Sequence, residues 1–245
     1  SIGESKNLVS FGYNALDSMA GGMTRGEITV LAGRPGHGKT TFSINLAKKL
    51  LDQNLKVLVM NREMTNEEML KKLLVLNSGK VSYHSIRTGD LTDISAKEID
   101  ESQKEIVKKY SKNLIMYDDV SSLNETISII SRIRPDIVID DYIQLVKVSD
   151  KKDRRFEIIL FIYYDYKVNY QNSSLGRMKS QIIAAKVRYG NSGMFTIGVD
   201  HDKVCYHENI PELQNKIKEV HVRSHDELVR VVSKFQPKQE SVSFK

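Results

Sequence analysis

EITVLAGRPGHGKTTFSINLA, residues 27–47, runs a short β-rich segment, a glycine-rich turn and an amphipathic helix together without a break. From Thr40 to Leu51 the residues Phe42, Ile44, Leu46, Ala47, Leu50 and Leu51 fall mostly on one side of a 3.6-residue repeat, as a helix laid on a core requires. The turn, Gly33-Arg34-Pro35-Gly36-His37-Gly38-Lys39-Thr40, satisfies the phosphate-loop pattern in the strand-to-helix setting that gives the pattern meaning. Its glycines let main-chain N–H groups wrap phosphate oxygens, and the helix N-terminus adds partial positive charge. Lys39 is placed to reach β and γ phosphates, and Thr40 to offer its hydroxyl to Mg²⁺. Gly33 through Thr40, together with Thr41, is the predicted nucleotide-binding stretch.

The flanking sequence repeats the strand-and-helix alternation. LKVLVM (55–60) predicts a second strand, and TNEEMLKKLL a helix from about Thr65, with Thr65 and Glu68 as a capping box and Met64 stapled to Met69. Glu63 falls in the junction between them. Residues 95–111 predict a polar amphipathic helix with Ile99, Ile106, Val107 and Tyr110 inward, and LIMY (114–117) a third strand. A helix over 124–133 is ended by Pro135, before the nearly continuous apolar strand DIVIDDYIQLV (136–146), interrupted only by Asp140 and Asp141. Apolar strands separated by helices imply a parallel sheet covered on both faces. The expected fold is α/β, a mainly parallel twisted sheet flanked by helices.

Past Val146 that alternation fails. Only KVSDKKDRR separates the strand from the next apolar run, FEIILFIYY (156–164), and a parallel crossover needs a dozen or more residues. Either the sheet turns antiparallel here or residues are missing from the chain between about Lys147 and Phe156; the second is the expectation. KSQIIAAKV (179–187) and MFTIGVD (194–200) then bracket RYGNSG as a β-hairpin. From about Asn209 the composition turns polar, with a short helix expected from Asp226 to Phe235. The reading is therefore one domain over 1–208, with a break within 147–156, and a polar tail over 209–245.

Composition narrows the setting. A chain of 245 residues, 40% hydrophobic, can bury one substantial core. Cys205, the single cysteine, excludes an internal disulfide framework, and no N-terminal apolar run resembles a leader or membrane span. A soluble, cytoplasmic protein is expected. The formal charge of +6 permits an anionic partner without demanding one.

A phosphate loop needs a metal-positioning carboxylate on a neighbouring strand tip, and IVIDD supplies Asp141, or alternatively Asp140, since adjacent strand residues face opposite ways. Glu63, at the end of the second strand, sits where open α/β sheets bind ligands and could orient and deprotonate water, or merely complement a helix dipole. Lys186 and Arg188, two apart on a strand, form a two-pronged cation facing one way. The trio His201, Cys205 and His207 lacks the paired spacing of a closed zinc site. Lys151, Lys152, Arg154 and Arg155 could touch phosphate backbone or simply solvate a loop.

FGYNALDSMAGGMTRGEITVLAGRPGHGKTTFSINLA, VLVMNREMT, IVIDDYIQL and IIAAKVRYGNSGMFTIGVD resemble, in order, the motifs of DnaB-type replicative helicases, a phage member in particular. The resemblance implies a RecA-like ATPase that forms a hexameric ring, holds ATP with Mg²⁺ between subunits, and moves 5′ to 3′ on single-stranded DNA. It implies Glu63 as catalytic base, with Lys186 and Arg188 reaching into a neighbour's site as lysine and arginine finger. Primase and a helicase loader are implied partners; a membrane is not. The family's further helix, its strand ending in a sensing glutamine, its DNA-gripping loops and its N-terminal domain are not recognisable in these residues. A filament-forming RecA-like recombinase and an ATP-switched scaffold or loader are the alternatives.

Overall fold

The computed structural model describes residues 8–141, 157–169, 171–173 and 175–210. The segment 147–156, where a break in the chain is expected, lies outside these, as do Lys151, Lys152, Arg154, Arg155 and the helix expected at 226–235. In chain order the elements are β1 (Leu8–Val9), α1 (Asn14–Ala20), β2 (Met23–Thr24), β3 (Thr29–Ala32), α2 (Lys39–Asp52), β4 (Val57–Asn61) and α3 (Asn66–Ser78). There follow α4 (Tyr83–Thr88), α5 (Asp93–Tyr110), β5 (Leu114–Tyr117), α6 (Leu123–Ile133), β6 (Ile137–Asp141), β7 (Ile158–Tyr163), α7 (Asp165–Val168), β8 (Lys179–Val187), β9 (Gly193–Asp200) and β10 (Cys205–His207).

Three strands, in the order β5-β4-β6, are parallel throughout. They obey the alternation read from the sequence, because a helix covers each crossover. Five more, β10-β9-β8-β7-β3, form a mixed sheet: β7 runs parallel to β3, whereas β8, β9 and β10 each pair antiparallel to the strand before. This corrects the expectation of a mainly parallel sheet. Between β7 and β8 the only described helix is the four-residue α7, too short to carry a crossover, so the chain returns antiparallel. The hairpin at 188–193 then fixes β9 against β8.

No ladder joins β3 to β6 among the described residues. Side chains do so instead. Just before the two strands, Arg25 reaches Asp136 at 2.9 Å, and at their other end Thr40, at the start of α2, hydrogen-bonds Asp141, the last residue of β6. Helix α2 lies against β4 and β6 on this side.

The main core gathers Phe42, Ile44, Ala47, Leu50 and Leu51 of α2 with Val57 and Val59 of β4, Leu73 of α3, and Ile158, Leu160 and Ile162 of β7. A smaller cluster on the other face of β4 joins Leu58 and Met60 to Val120 and Ile129 under α6. Alternation along β4 thus feeds two cores, one on each face. Thr65 caps α3 by accepting from the Glu68 N–H at 3.2 Å, half of the expected box, while the Glu68 carboxylate takes the Tyr83 hydroxyl at 3.3 Å instead. In α5, Ile106 and Tyr110 are buried as expected, but Val107 is 58% exposed. Ser102, donating to the Leu74 carbonyl at 2.9 Å, lies on the buried face, which is rotated away from Val107.

Candidate functional site

At the end of β3 the chain enters the phosphate loop, and α2 starts at Lys39. Gly36 and Gly38 take φ of 76° and 94°, conformations that a side chain resists. Gly38 is further constrained from below, since a Cβ there would fall 2.2 Å from the Tyr206 hydroxyl. Tyr206 is held in turn by the Asn45 carboxamide, which accepts from the Tyr206 N–H at 2.9 Å and donates to the Val204 carbonyl at 2.7 Å. His37 is 2% exposed, and its Nδ1 accepts from the Tyr164 N–H at 3.2 Å. Burial, and then the charges of Arg34 and Lys39, hold this imidazole below its ordinary pKa. The loop is thus stitched to β10 through Tyr206 and to the end of β7 through His37.

Lys39 folds back on the loop, its Nζ donating to the Gly33 carbonyl at 3.0 Å and the Arg34 carbonyl at 3.4 Å. Opposite, burial raises the Asp141 carboxyl above its usual range, and the negative charges of Glu63 and Asp140 push the same way. The Thr40 hydrogen bond and Lys39 oppose them. A hydroxyl and a carboxylate already in contact form an all-oxygen donor set suited to a hard divalent cation such as Mg²⁺.

Asp140 and Asp141 part company as the alternation requires. Asp141 continues the face of Ile137 and Ile139, which pack on the main core beneath α2. Asp140 faces α6. There it takes the Arg62 guanidinium through two bonds, Nε to Oδ1 at 2.6 Å and Nη2 to Oδ2 at 2.8 Å. Of the two aspartates, only Asp141 therefore touches the phosphate-loop helix. Glu63 is exposed at the tip of β4, near enough to Asp141 to act on its charge.

The remaining pair stands elsewhere. Lys186 is level with Ile159 of β7, which is level with Val30 of β3, three residues before Gly33. At about 3.3 Å per residue, Lys186 lies ~10 Å below the start of its own phosphate loop and two strands aside, and Arg188 lies lower still. Lys186 is exposed, whereas Val187 packs on the main core. The Arg188 guanidinium is 3.7 Å from Glu157 Oε1 and lies 5.1 Å from the Tyr189 ring centroid. After it the turn docks on α1: Asn191 N–H donates to the Met19 carbonyl at 2.8 Å, and a Cβ at Gly190 would lie 2.3 Å from that same oxygen. His201 packs its ring 4.8 Å from that of Tyr164.

Sequence reasoning passed over Arg62, Tyr206 and Asn45. A signal existed for the first: Arg62 follows Leu58 and Met60 in alternation, so an apolar face should not end in arginine unless a carboxylate waits there.

A phosphate loop on a parallel strand, with a strand-tip aspartate hydrogen-bonded to its threonine, defines the class of P-loop nucleotide-binding domains. Within that class the chain matches the DnaB-like helicase C-terminal domain over residues 9–159, more than half its length, and it belongs to that family. It is 32% identical over 157 residues to the replicative DNA helicase DnaB of Buchnera aphidicola subsp. Schizaphis graminum, covering 60% of this chain and 32% of that protein. To the replicative DNA helicase DnaC of Bacillus subtilis it is 26% identical over 152 residues, covering 59% and 32%. The chain spans about a third of the length of these curated relatives. Among solved structures, a DnaB-like replicative helicase described with its interactions with primase superposes with a TM-score of 0.71 at 20% identity, covering 83% of this chain and 64% of that one. A second solved structure, of an isolated ATPase domain, superposes at 0.70, also at 20% identity, covering 83% and 92%. These likenesses establish the α/β RecA-like fold. Lys186 and Arg188 lie beyond the residues that match the family.

Proposed function

We propose that this chain is the ATPase motor of a replicative DNA helicase, coupling ATP hydrolysis to 5′ to 3′ movement along single-stranded DNA. Family membership supports this, and the observation that carries it is the meeting of Thr40, Lys39 and Asp141 beside Glu63 at the strand tips. Water attacks the γ-phosphate in line; Glu63 orients it and takes its proton as the bond to the β–γ bridging oxygen breaks. Lys39 leaves its loop carbonyls for the phosphate oxygens. Thr40 and Asp141 would hold Mg²⁺, which neutralises charge on the β and γ oxygens when bound.

Lys186 and Arg188 serve another copy's nucleotide. Their place at the opposite end of the sheet from their own loop supports this, because neither side chain spans that separation. The assembly that satisfies the pair is a closed ring, taken as a hexamer acting in the cytoplasm, with primase and a loader as its further partners. The full-length protein should unwind a forked duplex only with ATP, and appear by electron microscopy as closed rings. Open filaments on DNA without unwinding would instead favour a recombinase, and nucleotide-dependent assembly with negligible turnover a switch.

A further inference from the structure

The side chain of Arg62 is only 4% exposed, yet four of its five guanidinium N–H groups have acceptors. Besides its two bonds to Asp140, Nη1 donates to the Val120 carbonyl at 2.7 Å and Nη2 to the Thr126 hydroxyl at 3.1 Å. Its own N–H donates to the Asp141 carbonyl at 2.8 Å. One side chain thus joins the tips of β4 and β6 to the start of α6, on the face turned away from the phosphate loop. Its chain neighbour is Glu63, and the chain neighbour of Asp140 is Asp141. A largely buried ion pair is weak evidence for a stabilising role, since well-packed apolar residues of similar volume often serve as well or better. What a planar fork with several fixed acceptors adds is geometry.

We infer that Arg62, gripped by Asp140 behind the sheet, is a positioning residue that sets the separation of the Glu63 carboxylate from the Asp141 carboxylate in front. It does so because each member of the rear pair is bonded through one peptide to a member of the front pair. A short segment next to a clamped residue keeps little freedom. Without the clamp, the two strand tips are held by a single ladder and can splay or twist beyond its last hydrogen bond. Displacement of about 1 Å at a reacting group can cost two orders of magnitude in rate, and partners that orient catalytic or ligand groups from behind commonly matter about 10- to 100-fold. Alternation already turns Asp140 to the rear face, where the clamp occupies its carboxylate, so that a cation on the phosphate-loop side meets Asp141 alone.

This inference rests on the reading of the site as an ATPase, and its test separates the two. In the full-length protein, Arg62→Lys keeps the charge but loses the fork; Arg62→Leu with Asp140→Leu removes the pair and leaves no buried charge alone. Thermal midpoint, affinity for a fluorescent ATP analogue, and kcat and KM for ATP at varied Mg²⁺ are measured for each. Both variants are expected to stay folded and bind the analogue as the unaltered protein does, with kcat lowered about 10- to 100-fold, KM changed less than about threefold and a higher Mg²⁺ requirement. A folded paired variant with unaltered kcat would overturn the inference while leaving the ATPase reading standing. If Arg62→Lys does not fold, the paired variant decides alone. Absence of hydrolysis by the unaltered protein would instead remove the ATPase reading, and this inference with it.

Discussion

The two ends of the five-stranded sheet are built on opposite plans. At the end where β3 stops, the polar groups of the loop are partnered within the chain: Lys39 on loop carbonyls, Thr40 on Asp141, His37 on the Tyr164 amide. Where β8 stops, Lys186 stands exposed and Arg188 makes a long 3.7 Å contact to Glu157, although the turn after it is docked firmly on α1. The first end gathers the groups of the phosphate loop, whereas the second carries two exposed cations on a fixed support, the arrangement expected if they act on a neighbouring copy as proposed.

That contrast can be broken most forcefully at Arg188. If it serves a neighbour's nucleotide, Arg188→Ala should reduce ATP turnover of the assembled protein about 10³- to 10⁵-fold while leaving nucleotide binding intact. Rings mixed from mutant and unaltered subunits should then lose activity faster than the unaltered fraction falls. Strict proportionality in the mixing curve would place Arg188 outside any shared site. Glu63→Gln comes next: loss of the proton acceptor should lower kcat roughly 10²- to 10⁴-fold with ATP affinity retained by equilibrium titration, and an unchanged kcat would leave Glu63 as a helix-end charge.

The smallest effect concerns the loop's packing. Because the folded state holds His37 below its ordinary pKa of about 6.5, the unfolded chain binds that proton more tightly. The contribution of His37 to stability is thus fully present above about pH 6.5 and declines as pH falls toward the lowered value. Chemical denaturation at stepped pH should show that decline, and His37→Asn should reduce its slope relative to the unaltered protein.

Much of the phosphate-loop end was legible from residues alone, because local rules govern it. The glycines, Lys39 and Thr40 lie within one strand, turn and helix, and alternation alone separated Asp140 from Asp141. The opposite end was legible only as a pair of cations, since pairing over long sequence distances decides where β8 lies. The turn to antiparallel pairing after β7 was missed for the same reason: periodicity marks a strand without giving its direction. Val107 was placed inward because an apolar residue fits a helical stripe, whereas burial in α5 follows the side that meets α3. Alternation was enough to flag Arg62 as an arginine ending an apolar face, but not to name its partner, because Asp140 lies 78 positions along the chain.

The want of a ladder between β3 and β6 among the described residues has a mechanical corollary. Main-chain pairing would weld the sheet into one plate, but here the seam is bridged by Arg25 with Asp136 at one margin and by Thr40 with Asp141 at the other. A triphosphate seated on the loop and drawn toward Asp141 loads that seam directly. If Lys186 and Arg188 serve a neighbouring copy as proposed, a tilt passed along β3, β7 and β8 would reach them at the far margin, and the sheet would act as the lever between an occupied pocket and the next subunit.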